Sequence, residues 1–235
     1  MGIEAEWEQD ADNWLRWART PGFDAYWYFR DAFFDSIVPS RGRRTLEIGC
    51  GEGRVTRDLA ARGHSVVAID AASTLVRHAT DEDCVSAYAV AAGAALPFRD
   101  RAFDIVVAYN ALQVVHDLRG TIREAARVLD PGGYLCACIA HPVTDLGTFI
   151  EADDGPRLAV RPDYFETRRV EDRLEVDGKA MTFRGWTYSL EHYSRALEDA
   201  GFRIETMREP RPLPEAKQFT RWRRVPLFLN FRAVQ

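Results

Sequence analysis

Lysine is nearly absent from this chain: of 235 residues only Lys179 and Lys217 are lysine, and the other basic residues are arginine. The basic side as a whole is outnumbered, 31 Lys and Arg against 36 Asp and Glu, for a net charge of −5. A dedicated nucleic-acid surface needs a basic excess, so this balance argues against one. No apolar run of about 18 residues occurs, which excludes a membrane-spanning helix. The opening MGIEAEWEQDADNW is acidic and lacks the basic-then-apolar order of a signal peptide. Gly2 is followed at position 6 by Glu6, where a myristoylation signal needs Ser or Thr. A soluble cytoplasmic protein, monomer or homodimer, is the expectation. Cysteine is also scarce: Cys50, Cys84, Cys136 and Cys138 show neither metal-ligand spacing nor a disulfide framework. Asp153-Asp154 reads as a solvated turn, so no metal is expected.

What is present is 46% hydrophobic content, enough for one globular domain of generous size. Residues from about 4 to 19 read as an amphipathic helix with Trp7, Trp14 and Trp17, and residues 23 to 38 as an aromatic-rich second one. From Arg43 the period changes. RTLEIG reads as a buried strand and EGRVTRDLAARG as a helix stopped by Gly63. SVVAID, CVSAYAV, FDIVVAYN and YLCACIA supply four more strands, with ASTLVRHAT and TIREAARVL as helices between them. The run in FDIVVAYN suits a strand covered on both faces. Asp130-Pro131-Gly132-Gly133 reads as a turn, and alternate Cys136 and Cys138 as core packing on one strand face. Strands alternating with helices at this length mean an α/β chain with a parallel sheet. The pattern then breaks: residues 141 to 187 read as polar and irregular. A helix LEHYSRALEDA closed by Gly201 and two strands, FRIETMRE and VPLFLNFRAV, complete the chain, the last pair antiparallel.

Ligands of open parallel sheets bind at the carboxyl ends of the strands. Gly49, Gly51 and Gly53 fall at such an end, where absent side chains let a ligand approach the backbone and the helix start. Asp70 ends the second strand, placed to accept ribose hydroxyls. A dinucleotide fingerprint would need a glycine where Arg54 stands, so adenosine without pyrophosphate fits better. Glu47, inside the end of the first strand, would repel a phosphate but suits an ammonium or sulfonium.

LEIGCGEGRVT, VVAID, ALPFRDRAFDIVVAYNALQVVHD and REAARVLDPGGYL together resemble successive motifs of the class I S-adenosylmethionine-dependent methyltransferases. The branch they are most similar to is the small-molecule one related to ubiquinone and menaquinone biosynthesis. The resemblance covers residues from about 43 to 140. It implies a Rossmann-like, doubly wound, mainly parallel seven-stranded sheet with an antiparallel C-terminal hairpin strand, and S-adenosylmethionine as cofactor. Carried over by position, Gly49, Gly51 and neighbouring Cys50 would line the methionine part, with Gly53 also binding the cofactor; Glu47 would act near its ammonium, and Asp70 would hold the ribose. Ala71 would flank the adenine, and Asn110 would serve the amino-acid end. One departure is Ala92, where relatives carry an Asp for the adenine amino group; backbone at Ala92 and Gly93 would then read the ring.

The implied reaction is methyl transfer to O or N of a small metabolite, with a secondary-metabolite scaffold as one acceptor class. A general base helps if the acceptor loses a proton. His116 and His141 follow strand ends at the carboxyl edge and are the candidates. Both have a loop-ordering hydrogen bond as the alternative. His64, His78 and His192 read as surface residues. Tyr164, Trp186 and Tyr188, with Phe165 and Phe183, are candidates for an aromatic acceptor site. By this reading residues 1–40 form a helical cap over the cofactor site and 41–140 the cofactor-binding core. Residues 141–187 are an inserted substrate lid, and 188–235 complete the sheet of a single domain. Arg221, Arg223 and Arg224 read as a solvated loop, with anion recognition or a subunit contact behind that. Two other functions compete: a cofactor-binding protein of this fold without methyl transfer, and a nucleotide-dependent oxidoreductase, against which Arg54 argues.

Overall fold

A computed structural model of the chain describes residues 2–40, 43–83, 86–150, 153, 155, 157–160 and 163–235. Cys84 and Asp154 lie outside the described residues. The single helix expected over residues 4 to 19 is two, α1 (Ile3–Gln9) and α2 (Ala11–Arg19). The break falls at Asp10, whose backbone leaves the helical region at φ −92 and ψ 4. Its carboxylate is held by the Asn13 amide at 3.3 Å and by Arg184 from far along the chain. A side chain tied elsewhere competes with helix continuation. The aromatic segment forms α3 (Tyr26–Ser36).

The core then alternates as its periodicity predicts: β1 (Arg44–Ile48), α4 (Arg54–Ala61), β2 (Ser65–Asp70), α5 (Ser73–Glu82), β3 (Ala87–Val90), β4 (Phe103–Tyr109), α6 (Leu118–Val128) and β5 (Leu129–Ala140). The Asp-Pro-Gly-Gly turn is kept as a bulge within β5: Phe103 pairs with Leu129, but Ile105 pairs with Tyr134. Gly132 takes φ 77 there. After the insert come α7 (Leu190–Asp199), a strand over Arg203–Arg208 and a last strand over Phe228–Val234.

The insert departs from the expected irregularity. It holds two antiparallel hairpins, β6 (Gly147–Ile150) with β7 (Arg157–Val160), and β8 (Arg169–Val176) with β9 (Lys179–Trp186). Asp177 and Gly178, at φ 49 and 73, supply the two positive-φ residues of a tight hairpin turn. Almost every residue of β8 is exposed, so the strand lacks the apolar alternation that marks a half-buried one. The two closing strands are therefore β10 (Arg203–Arg208) and β11 (Phe228–Val234).

The main sheet has seven strands in the order β10-β11-β5-β4-β1-β2-β3, and β11 is antiparallel to both its neighbours. Residues of β4 alternate between two cores. Val106 and Ala108 join Leu46, Ile48, Leu135 and Ile122 under α6 and α7. Ile105 and Val107 join Phe29, Phe33, Cys136 and Cys138 under α3 and α4. Both cysteines thus share one face, as the alternation predicts. His64, expected at the surface, is buried with its Nδ1 2.9 Å from the Thr45 hydroxyl, because the turn after α4 folds it under the start of β1. His192 is half-buried on Ser189, 2.9 Å away. Among the described residues no helix is long and apolar enough to cross a membrane.

The N-terminal helices are fastened on two sides. Glu8 of α1 caps α5, accepting from the Thr74 amide at 3.1 Å and from the hydroxyls of Thr74 and Ser73 at 2.6 and 3.1 Å. On the other side Glu6 meets Arg169 of β8, Asp10 meets Arg184 of β9, and Trp14 and Trp17 pack edge-on against Phe183.

The Thr74 hydroxyl holds the Glu8 carboxyl below its ordinary range. Such a group stabilises the fold above its unfolded pKa, and that contribution is lost on acidification through the lowered folded value. Glu8→Ala removes a helix cap, so urea unfolding at neutral pH should show a loss of about 1 kcal/mol, shrinking as the pH is lowered below 4.

Candidate functional site

The carboxyl ends of β1, β2 and β4 converge on the loop at 49–53. The amides of Gly49 and Cys50 both donate to the Ile69 carbonyl of β2, at 2.8 and 2.9 Å, which turns the chain sharply across the sheet edge. Gly49, Gly51 and Gly53 have φ of 75, 54 and 86. At Gly49 space is also closed: a Cβ would stand 2.6 Å from the Cβ of Ala111. Gly53 precedes α4 and donates to the Cys50 carbonyl at 2.9 Å.

Two carboxylates sit at this edge. Glu47 is 1% exposed, and the Thr56 hydroxyl donates to its Oε2. Burial pushes its carboxyl up to about 8, with the charges of Asp70 and Glu52 adding to the effect. Asp70 is locked by backbone: Gly51 N donates to Oδ2 at 2.8 Å and Ala72 N to Oδ1 at 2.9 Å. Burial raises its carboxyl against these amides. Glu52, also buried, is paired with Arg57 at 2.7 Å.

Asn110 follows β4 in the left-handed region at φ 53, a conformation Asn tolerates better than most residues. Its amide donates to the Cys138 carbonyl at 2.7 Å, and its Oδ1 lies 3.5 Å from the Gln113 amide nitrogen. Ala71 directly follows Asp70 and is half-buried, and Ala92 is exposed in the loop after β3. At Gly93 a Cβ would stand 2.9 Å from Thr121 Cγ2, so helix α6 packs directly on the loop.

The two candidate histidines differ. His116 is exposed in the loop between β4 and α6. His141 is buried; its Nδ1 accepts from the Val143 amide at 3.0 Å and its Nε2 faces Glu209 Oε1 at 3.0 Å. Burial lowers its pKa, opposed by Glu209. Both its nitrogens are engaged in ordering the turn after β5, which is the geometry of the loop-ordering alternative. The three aromatic candidates also separate. Trp186 donates its backbone N–H to the Gln113 carbonyl at 2.8 Å, beside Asn110. Tyr164 accepts from the Leu190 amide at 3.1 Å and Tyr188 meets Tyr193 edge-on at 5.6 Å, which places both at the start of α7. Arg221 and Arg224 line, with Arg157 and Phe149, a cavity of about 270 Å³ between β6–β7 and the turn before β11.

Residues not singled out from sequence for the site complete its wall. Trp14 Nε1 lies 3.2 Å from where a Cβ of Gly51 would be. The guanidinium of Arg54 is flanked by the rings of Trp14 and Tyr26, at 5.0 and 4.4 Å, and its Nη2 pairs with Asp24 at 3.0 Å. Tyr26 in turn meets Tyr109 at 5.3 Å. Along this wall the buried atoms Trp7 Nε1, Arg54 Nη1, Tyr109 OH, Gln113 Oε1 and Trp186 Nε1 have no hydrogen-bond partner. An unpaired buried polar atom costs about 1–3 kcal/mol. A cluster of them beside a glycine loop and two carboxylates fits a polar ligand with both donor and acceptor groups, such as adenosine joined to an amino acid. Of this wall the sequence marks Trp186 as an acceptor candidate and Trp7 and Trp14 as part of an amphipathic helix; the pairing of Arg54 with Asp24 leaves no signal. No group of three or more His, Cys, Asp or Glu side chains is placed to hold a metal among the described residues.

A family model described as a methyltransferase domain matches residues 46–137. The chain is 32% identical over 171 residues to the demethylmenaquinone methyltransferase of Tropheryma whipplei, covering 67% of this chain and 70% of that protein. It is 31% identical to the 27-O-demethylrifamycin SV methyltransferase of Amycolatopsis mediterranei over 79% of this chain and 61% of that one. Among solved structures, an S-adenosylmethionine-dependent methyltransferase from Mesorhizobium loti superposes with a TM-score of 0.73 at 22% identity, covering 90% of this chain and 98% of its own, and so shares the fold.

Two outcomes follow from the geometry. The folded chain keeps a proton on Glu47 up to about 8, where the unfolded chain loses it near 4.5. Stability of the ligand-free protein should therefore fall between those values, by on the order of 1 kcal/mol per pH unit. Glu47→Gln should flatten that slope in denaturant titrations across the range. Gly49→Ala should destabilise by about 1–2 kcal/mol for the left-handed backbone and about 1–3 kcal/mol for the overlap with Ala111, read as a lower denaturation midpoint.

Proposed function

The chain belongs to the class I S-adenosylmethionine-dependent methyltransferases, and from that premise we propose that it methylates O or N of a small metabolite, with a secondary-metabolite scaffold as the acceptor class. S-adenosylmethionine is its cofactor, and when bound it supplies a methyl group activated by a positive sulfonium. The observation that carries the residue assignment is the joint placement of Glu47, the positive-φ glycine loop and the backbone-locked Asp70 at neighbouring strand ends. Asp70, held from Gly51 and Ala72, keeps lone pairs for the ribose hydroxyls. Glu47 answers the ammonium, and Gly49, Cys50, Gly51 and Gly53 let the methionine part lie on the backbone. Asn110 shapes the amino-acid end, while Ala71 and the backbone of Ala92 and Gly93 border the adenine.

The acceptor is bordered by the N-terminal helices (residues 1–40) and the insert (141–187), which meet each other through Glu6, Asp10 and Trp14 outside the core at 41–140. Support comes from Trp186, whose ring nitrogen is buried and unpaired beside Gln113. The name of the rifamycin relative speaks of a 27-O-demethyl substrate, which favours a hydroxyl on a large scaffold as the first acceptor to try. His116, exposed after β4, is the group open to take the acceptor's proton. His141 acts by holding the turn after β5, and Tyr164 and Tyr188 border the acceptor's outer end.

S-adenosylmethionine labelled in its methyl group, offered with a panel of phenols, alcohols and amines, should place label on oxygen or nitrogen by mass spectrometry. Label on carbon, or bound cofactor with no transfer to any extract, would overturn the assignment. His116→Ala should lower kcat about 100-fold with KM little changed, the scale of a lost general base.

A further inference from the structure

We propose that Arg54 and Tyr109 together form the receptor for the carboxylate at the amino-acid end of S-adenosylmethionine. Arg54 is the first residue of α4, directly after Gly53, and Tyr109 is the last of β4, directly before Asn110. The two side chains are joined through Tyr26, whose ring lies 4.4 Å from the Arg54 guanidinium and 5.3 Å from the Tyr109 ring. Arg54 is 10% exposed, and only one side of its fork is used: Nη2 pairs with Asp24 at 3.0 Å, while Nη1 is buried without a partner. The Tyr109 hydroxyl is likewise buried without a partner. Both orphaned groups carry donors, and buried donors are retained where an acceptor arrives to meet them.

The charge of the surroundings says which acceptor. Glu47 and Asp70 offer oxygens that suit the sulfonium, the ammonium and the ribose hydroxyls but give the ligand's one anionic group no donor. Of the two arginines that open α4, Arg57 is committed to Glu52 through the carboxylate at 2.7 Å and the carbonyl at 2.8 Å. Arg54 keeps a free donor. Trp14 and Tyr26 clamp its plane from two sides, so little ordering remains to be done when the anion binds. The inference rests on S-adenosylmethionine being the cofactor.

Calorimetric titration with S-adenosylmethionine and with its decarboxylated analogue, without acceptor, separates the possibilities. The wild-type protein should bind the carboxylate-bearing ligand at least tenfold more tightly. Arg54→Gln should weaken that ligand tenfold or more and leave the decarboxylated one within about twofold. Tyr109→Phe keeps the ring and removes only a hydroxyl that lies beside the Cys138 thiol, so it should unfold within about 2 °C of the wild type. It should nevertheless weaken only the carboxylate-bearing ligand, by about threefold to fivefold. Equal weakening of both ligands in Arg54→Gln, or no preference in the wild type, overturns the proposal. If Arg54→Gln fails to fold, Tyr109→Phe decides alone, and an unchanged preference there overturns it. A wild-type protein that binds neither ligand contradicts the cofactor assignment itself, a different failure.

Discussion

Asp70 ties the carboxyl edge of the sheet together. Its side chain takes the amides of Gly51 and Ala72, and its carbonyl takes the amide of Ala91 at 3.0 Å. One residue thereby fixes the glycine loop after β1, the entry to α5 and the exit from β3. A carboxylate drawn even half out of water is costly unless its lone pairs are met. Backbone amides meet part of that need. The glycine loop, the start of α5 and the loop after β3 all inherit their positions from this arrangement.

The second organising theme is charge matched to place. Glu47 is retained at a strand end where burial drives it toward the neutral form, which a structural residue of similar volume would avoid. Its neighbours Glu52 and Arg57 neutralise each other, and Arg54 shares Asp24. The charges of this edge are therefore largely paired within the protein and leave no large net field. That suits a ligand that carries both signs a few bonds apart.

The core was legible because local pattern and tertiary role agree there. The apolar run of β4 is covered on both faces, and the glycines at 49, 51 and 53 are needed for positive φ. The strand-terminal Asp70 sits where the alternation of strands and helices put it. Elsewhere the deciding partners were distant. Asp10 breaks a helix because Arg184 holds its carboxylate, and His64 is buried because a turn folds it onto Thr45. The β8–β9 hairpin carried its Asp-Gly turn in plain view, yet its strands are polar on both faces and give no alternation to read. Arg54 was visible only as a glycine that was missing; its stacking on Trp14 and Tyr26 joins three separate segments.

The fastening of α1 and α2 to the β8–β9 hairpin has a temporal side. Glu6 reaches Arg169 and Asp10 reaches Arg184, contacts between residues 163 and 174 positions apart. Loops of that length close late, after the local βα units have formed. On the ribosome, α1 and α2 emerge long before the strands that hold them, and must wait beside a core already able to fold. Synthesis thus leaves α1 and α2 without their partners until β8 and β9 have appeared.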